Sequence, residues 1–321
     1  MFSQSVTIGI TTYNAATSIE RCLASVLKFN SSFQILVVDD CSTDKTYSLI
    51  EDITSSDINV EVLRNDENFG VAFSRNRIIE NAKGEFIIFF DDDDESLPER
   101  IEEQYKRIVE YEEQFAKGAP VICHTNRKVI YPDKTEKIEK TMGLKLDCIA
   151  PHGVEVAERI LLGTHLDDGY GACPTCCQMA RTSTYKMLGG FDSDLRRGED
   201  TDFNIRLALA GGHFVGVDKP LVIQTMTKTS DKSLSNEYFY WLKIINKHKD
   251  FIASYGQYEF TLDWLKLKQN WLEKKFVSFI FQFVKIALIY PMLTVKRVLN
   301  AWPNFLLNWR FSKFHSSANQ D

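Results

Sequence analysis

Four consecutive aspartates, Asp91 to Asp94, stand directly behind the apolar run Phe86-Ile87-Ile88-Phe89-Phe90. Like charges at the mouth of a buried strand repel one another and are costly to desolvate, so the arrangement favours a site that supplies a counter-ion. Clustered carboxylates hold a hard divalent cation through oxygen ligands, and such a cation can bridge to a diphosphate. Two more polar clusters follow apolar runs: Thr11-Thr12-Tyr13-Asn14 after SVTIGI, and Asp39-Asp40 after FQILVV. The competing readings are structural. Asp91 to Asp94 would form a solvated acidic turn capping a helix that begins near Pro98, and Asp40 would be a turn or cap residue ahead of STDKT. Neither G-x-G-x-x-G nor G-x-x-x-x-G-K-[ST] follows any of these runs, so backbone amides are not the evident phosphate cradle.

These clusters need elements that carry them to one place. In the first hundred residues SVTIGITTY, FQILVVDD, INVEVLRN and GEFIIFFDD read as strands. Between them TSIERCLASVL, STDKTYSLIEDI and VAFSRNRIIENAKG read as helices, with Ile19, Leu23, Val26 and Leu27 at helical spacing. Thr17 and Glu20 are spaced as a capping box, and Gly84 as a helix stop. Continuous apolar strands alternating with helices predict an α/β fold whose mainly parallel sheet is covered on both faces. Ligands of such sheets sit beyond the carboxyl ends of the strands, where all three polar clusters fall.

Taken together the segments resemble the family 2 glycosyltransferases, which have the Rossmann-like GT-A fold and invert configuration. The resemblance rests on VTIGITTYN, ILVVDDCSTDKT, NFGVAFSRNRIIENAKGEFIIFFDDDD and GGFDSDLRRGEDTDFNIRLALAG, over roughly residues 5 to 225. It implies a nucleotide-sugar donor, UDP-linked by expectation, bound with Mn2+ or Mg2+. Asp40 would accept from the base, Thr11 and Tyr13 would border it, and Asp92 would lie near the ribose. Asp91 and Asp93 would form the D-x-D metal pair, with Arg75 assisting the diphosphate charge. Asp200 would be the general base and Glu199 would orient it or the acceptor. An acidic pair stabilising the helix TDFNIRLALAG through its dipole is a competing role that can hold at the same time. Three positions depart from the family: Thr11 stands for Pro, Cys41 for Gly, and QTMTKTSDKSLS keeps Ser233 and Ser235 but lacks the histidine that completes many metal shells.

The rest of the chain is different in kind. The formal charge of −6 hides a split, because from Trp264 onward there are nine Lys or Arg and two acids. A body so acidic is not expected to bind nucleic acid. The predicted division is a catalytic domain over 1–235, with a nucleotide half (1–97) and an acceptor half (98–235), then a basic helical extension over 236–321. In that extension EKKFVSFIFQFVKIALIYPMLTVKR is apolar but interrupted by Gln282, Lys285 and Pro291, short of a membrane span. Lys274, Lys275, Lys296, Arg297, Arg310 and Lys313, with Trp302 and Trp309, suit an amphipathic segment on an anionic membrane surface; a flap or dimer contact is the alternative. VICHTNRKVIYPDKTEKIEK reads as a hairpin turning at Pro132-Asp133, and MLGGF as a Gly-Gly turn. CPTCC, Cys173 to Cys177, lacks the second pair a zinc site wants and is read as buried thiols beside the acceptor pocket. Seven cysteines behind an opening that enters a strand at once predict reduced thiols in a cytoplasm, with peripheral placement on the inner face of the membrane. The expected function is sugar transfer to a glycan or lipid-linked saccharide in surface polysaccharide assembly. A catalytically silent sugar-nucleotide binder is the alternative, and a Rossmann-type oxidoreductase lacks its glycine fingerprint.

Overall fold

The computed structural model describes residues 5–28, 33–55, 59–169, 171–226 and 234–300. They fall in two compact units, residues 1–154 with 167–227 and residues 155–166 with 228–321. The expected boundary at 235 is thus moved, and part of helix α5 (Gly153–Leu162) belongs with the C-terminal unit.

The first unit is built on one sheet. Strands β1 (Val6–Thr12), β2 (Gln34–Asp39), β3 (Val60–Arg64) and β4 (Phe86–Asp91) are parallel neighbours in the order β3-β2-β1-β4. Past β4 come β8 (Gln178–Arg181), β6 (Val121–Ile130), β9 (His213–Thr225) and the short β5 (Asp94–Ser96). Of these β9 runs parallel to β6, while β8 and β5 pair antiparallel. Strand β7 (Glu136–Glu139) folds back on β6 through the expected hairpin, whose turn puts Lys134 at φ 64.

The apolar runs are continuous because both faces are covered. Ile8, Ile10, Val37, Ile88 and Phe90 pack on Ile19, Leu23 and Val26 of α1 (Ile19–Val26) and on Ile101 and Ile108 of α4 (Arg100–Tyr111). On the other face Phe89 meets Tyr185 and Phe191 edge-on, with centroids at 5.3 and 5.7 Å.

Three local expectations are corrected. No capping box forms at Thr17 and Glu20: α1 starts after Ser18, whose side chain caps nothing. The preceding amides are taken instead by the next motif, Ala15 N–H by Thr46 Oγ1 at 2.7 Å and Ala16 N–H by Asp44 at 3.2 Å. Gly84 does not stop a helix, since α3 (Val71–Asn81) ends before it with Ala82 extended. It lets β4 start against β1, where a Cβ would lie 2.6 Å from the Thr7 nitrogen. Nor do the aspartates cap α4: its N-cap is Glu99, without a side-chain bond, and Asp94 is in a strand.

The second unit is helical: α8 (Leu234–Lys247), α9 (Lys249–Ser254), α10 (Tyr258–Leu272), α11 (Phe276–Ile289) and a helical stretch over 291–300. Of the polar interruptions of the apolar run, Gln282 is buried and the half-exposed Lys285 leans onto α10. Lys285 Nζ reaches both oxygens of Asp263 at 2.8 Å, Gln282 Nε2 donates to the same carboxylate at 3.0 Å, and Ile286 is buried beside them. Val277, Ile280, Phe281, Val284 and Leu288 are left exposed on the other side. No helix among the described residues is long and apolar enough to cross a membrane. Arg297 is not presented outward as expected but lies over the Trp264 ring, 5.8 Å from its centroid. Trp302, Trp309, Arg310, Lys313 and Ser233 lie outside the described residues.

Candidate functional site

Strand register brings the polar clusters level. Thr11 of β1 pairs with Val38 of β2 and Asp91 of β4, and Thr12 with Asp39. Thr11 is buried, whereas the Tyr13 side chain just beyond it is 45% exposed. Tyr13 N–H donates to Asp92 Oδ2 at 3.1 Å, joining the first motif to the aspartate run. Burial pushes the half-buried Asp92 up to about 7, and the charges of Asp93 and Asp91 push the same way.

Helix α3 ties the remaining motifs together through three successive side chains, each rotated ~100° from the last. Ser74 accepts from Asn65 Nδ2 at 3.0 Å, and the same amide donates to Asp40 Oδ1 at 2.6 Å. Asp40 also accepts from Phe69 N–H at 3.1 Å and Gly70 N–H at 2.8 Å, which fixes the start of α3. Arg75 donates through Nη1 to Glu199 at 2.6 Å and through Nη2 to Asp91 at 3.1 Å. Asn76 holds Phe191, receiving its N–H at 2.7 Å and donating to its carbonyl at 2.8 Å. That clasp fixes the Gly-Gly turn, where Gly189 and Gly190 have φ 71 and 72. Asn65, Ser74 and Asn76 carry no chemistry of their own; Ser74 and Asn76 were hinted at only by their place within NFGVAFSRN, and Asn65 precedes that motif.

Arg75 is therefore a buried strut between the end of β4 and the start of α7 (Glu199–Leu209). Burial raises the Glu199 carboxyl to about 7 against the pull of Arg75, and neighbouring Asp200 raises it further. Asp200 is half-buried, and its Oδ1 accepts from Thr201 N–H at 2.6 Å and Thr201 Oγ1 at 3.3 Å. Gly198 at φ 75 starts the helix, so three acids, Glu199, Asp200 and Asp202, occupy its first turn. Asp202 is consumed by Arg206 at 2.7 Å.

The aspartate run splits. Pairing of Asp94–Ser96 with Gln224–Val222 of β9 turns Asp94 into the protein, where it is 3% exposed and both carboxylate oxygens lack a hydrogen-bond partner. Ligand atoms of Asp91, Asp94 and Cys176 lie within 4.8 Å of one another, a group that a metal ion can join. Asp93, expected beside Asp91, is not in that group; its carbonyl receives Arg21 Nη2 at 2.6 Å. The buried cysteines thus belong partly with the acids. The C-x-x-C spacing drew attention to Cys173 and Cys176, while the pairing of β5 with β9 that selects Asp94 has no signal in a three-residue acidic strand.

A mainly parallel sheet with helices on both faces, acids at its carboxyl edge and an arginine strut to a second acidic pair define a GT-A-type protein. The chain belongs to glycosyl transferase family 2, whose model matches residues 7–169. An uncharacterized glycosyltransferase of Haemophilus influenzae is 30% identical over 204 residues, 63% of this chain and 61% of that protein. The poly(ribitol-phosphate) beta-N-acetylglucosaminyltransferase TarS of Staphylococcus aureus is 29% identical over 172 residues, 46% of this chain and 30% of its own. The crystal structure of S. aureus TarS 1-349 in complex with UDP-GlcNAc shares the fold with a TM-score of 0.58 at 18% identity, covering 92% of this chain and 88% of that one. The chain spans less than two thirds of the length of these curated relatives.

Proposed function

We propose that the protein is an inverting glycosyltransferase that moves a sugar from a nucleotide-sugar donor, UDP-linked, to a hydroxyl of a glycan or lipid-linked saccharide in surface polysaccharide assembly. The observation that carries this reading is the Arg75 strut, which joins the donor-side Asp91 to Glu199 and so to Asp200 on the acceptor side. The relatives support the donor class, since TarS crystals hold UDP and UDP-GlcNAc, and an Escherichia coli relative is named a UDP-Glc:alpha-D-GlcNAc-diphosphoundecaprenol beta-1,3-glucosyltransferase.

The exposed Tyr13 ring and Thr11 border the base, and Asp92 reaches the ribose. A carboxylate offers about four acceptor directions, so Asp40, with three internal donors, retains one for the base N–H. Both Thr201 contacts fall on Asp200 Oδ1, which leaves Oδ2 for the acceptor hydroxyl. That oxygen takes the proton as the acceptor oxygen bonds to the anomeric carbon and the bond to the diphosphate breaks on the opposite side, giving inversion. Glu199, held by Arg75, keeps the start of α7 in place, and Arg75 lends positive potential on the leaving-group side. The donor set fits a divalent cation such as Mn2+ or Mg2+, because Asp94 carries buried carboxylate oxygens with no other partner. Asp91 and Asp94 would hold it, with Asp93 adjoining, and it would offset charge on the leaving diphosphate.

The test is release of nucleoside diphosphate across a donor panel with and without Mn2+. Asp200→Asn is expected to lower turnover ~10²–10⁴-fold while donor affinity by calorimetry changes little. A parallel fall in affinity would move Asp200 to the donor site, and donor binding without any turnover would favour the silent binder.

We also propose that the second unit rests on anionic lipid. Its α11 buries Gln282, ties Lys285 to Asp263 and leaves a row of apolar side chains exposed, and Lys274, Lys275 and Lys296 are exposed as well. Liposome flotation should weaken as salt screens those charges over a Debye length of ~8 Å at physiological ionic strength, without vanishing. No flotation at low salt would leave an oligomer contact as the occupant of that face.

A further inference from the structure

We infer that Cys176 is the third protein ligand of the cation site and gives it a preference for softer divalent ions over Mg2+. The inference rests on the proposal that Asp91 and Asp94 hold a cation. Sequence offered no histidine to complete that shell, and the structure brings in a thiol. Cys176, 2% exposed, stands on a short helical turn (Thr175–Cys177) leading into β8, next to β4 in the sheet. Its sulfur and the two carboxylates lie within 4.8 Å of one another. With metal–oxygen bonds of ~2.0–2.2 Å and a metal–sulfur bond of ~2.3 Å, ligand atoms around a tetrahedral ion lie about 3.5 Å apart, so side-chain rotation that closes the widest pair by up to about 1 Å completes the site.

The surroundings explain why a cation answers the Asp94 problem better than a protein partner. Arg100 is the nearby buried cation, but its guanidinium is committed to the Phe89 carbonyl at 3.0 Å and Gln104 Oε1 at 2.9 Å. Arg127 reaches Cys176 Sγ only at 3.9 Å and spends its short bonds on Glu139, at 2.5 and 2.9 Å. Two buried oxygens without donors are costly whether Asp94 is charged or neutral. A bound cation satisfies them, and Cys176 releases its proton to solvent as the metal–sulfur bond forms. Thiolate ligation shifts a site away from Mg2+, which demands oxygen and keeps its waters, toward Co2+ and Zn2+. Cys177, whose Sγ is 3.9 Å from that of Cys176, is not in the converging group and is the natural control.

Titration of the full chain with Co2+ tests this by absorbance. The expected result is a thiolate-to-cobalt charge-transfer band in the near ultraviolet that saturates with one equivalent. Cys176→Ser should abolish the band and narrow the preference for Co2+ over Mg2+ by roughly 10-fold, whereas Cys177→Ser should keep both. Cadmium NMR of the unmodified protein gives the same answer without a variant, because one sulfur ligand moves the resonance well downfield of an all-oxygen site. Co2+ binding without the band, or a band that persists in Cys176→Ser, overturns the thiol ligand and leaves the carboxylate site standing. No Co2+ binding at all overturns both, and neither result bears on donor turnover, which is measured separately.

Discussion

Acids leave the ends of β2 and β4, two strands that flank β1, and their fates are opposite. At β2 the carboxylates are largely satisfied within the protein: Asp39 receives Ser42 N–H at 3.1 Å and faces Arg64 Nε at 3.3 Å, while Asp40 receives three donors and keeps one acceptor direction. At β4, Asp94 is as buried as Asp40 and receives none. Residue type does not separate them; the route of the chain beyond each strand does. The loop after β3 delivers Asn65 and two backbone amides to Asp40, whereas the segment after β4 pairs at once with β9, so its amides enter a ladder and no donors are left for the side chain. Asp40, held by internal donors, builds the loop while it keeps one acceptor direction, and Asp94, without donors, marks where a cation belongs.

The largest expected effect breaks the comparison at β2. Asp40→Ala orphans three donors at the start of α3, and losses of ~1–3 kcal/mol for each unsatisfied group put the total at about 4 kcal/mol. Urea denaturation measures it, and a loss below ~1 kcal/mol would show that the Asp40 bonds are incidental.

At β4 the sign reverses. Burial raises the Asp94 carboxyl well above its ordinary range, with nearby Cys176, Asp91 and Asp93 adding to it. Asp94→Asn keeps the shape and removes an ionisable group that is costly to bury, so metal-free protein at neutral pH should be more stable than wild type. The same variant should lose divalent-ion affinity and transfer activity together. A lower melting temperature in the variant would mean that Asp94 has a stabilising partner and that the contrast between the two strand ends is false.

Much of the fold was legible in the residues alone. The four strands, their helices and the acids at their ends are set by periodicity, because a sheet covered on both faces leaves continuous apolar runs that stop where the ligand edge begins. Asp40, Asp91, Asp92, Glu199 and Asp200 were readable as motif residues. The antiparallel strands were not, because β8 and β5 are four and three residues long and take their place from partners distant in sequence. For the same reason Asp94 and Cys176 could not be chosen over Asp93. The capping box failed because the turn leading into α1 is held across space, its Ala15 and Ala16 amides by Thr46 and Asp44, which local spacing does not encode.

Acid pH sharpens the comparison with buried bases on the far side of the sheet. Burial and the adjacent His152 ring push His213 down to about 4. Tyr111 Oη accepts Ala150 N–H at 2.9 Å and shares a hydrogen bond with His213 Nδ1 at 2.7 Å, in a setting whose burial disfavours a charged ring. A folded pKa below the unfolded value of ~6.5 gives stability that is full above that pH and is lost as pH falls toward about 4. His213→Phe keeps an aromatic ring against His152 but removes the titration. Its urea midpoint should start lower, by about 1 kcal/mol for the orphaned tyrosine hydroxyl, and should fall less steeply between those pH values. Parallel midpoint curves would show that His213 does not titrate in that window.

The smallest effect returns to the end of β2. Cys41 stands where the resembling family has glycine, and its φ of 62 lies in the left-handed region. An L-residue there costs roughly 1–2 kcal/mol, while glycine costs ~0.4–1 kcal/mol more chain entropy on folding. Against the difference stands one weak contact, Cys41 Sγ to the Asp66 carbonyl at 3.5 Å. Cys41→Gly should therefore raise stability by about 0.5 kcal/mol, read as a higher urea midpoint at unchanged slope. Cys41→Ala keeps the strain and removes only the thiol, so it should not share the gain. If both variants lose stability equally, the thiol contact outweighs the backbone strain, and the loop that Asp40 builds is held by Cys41 as well.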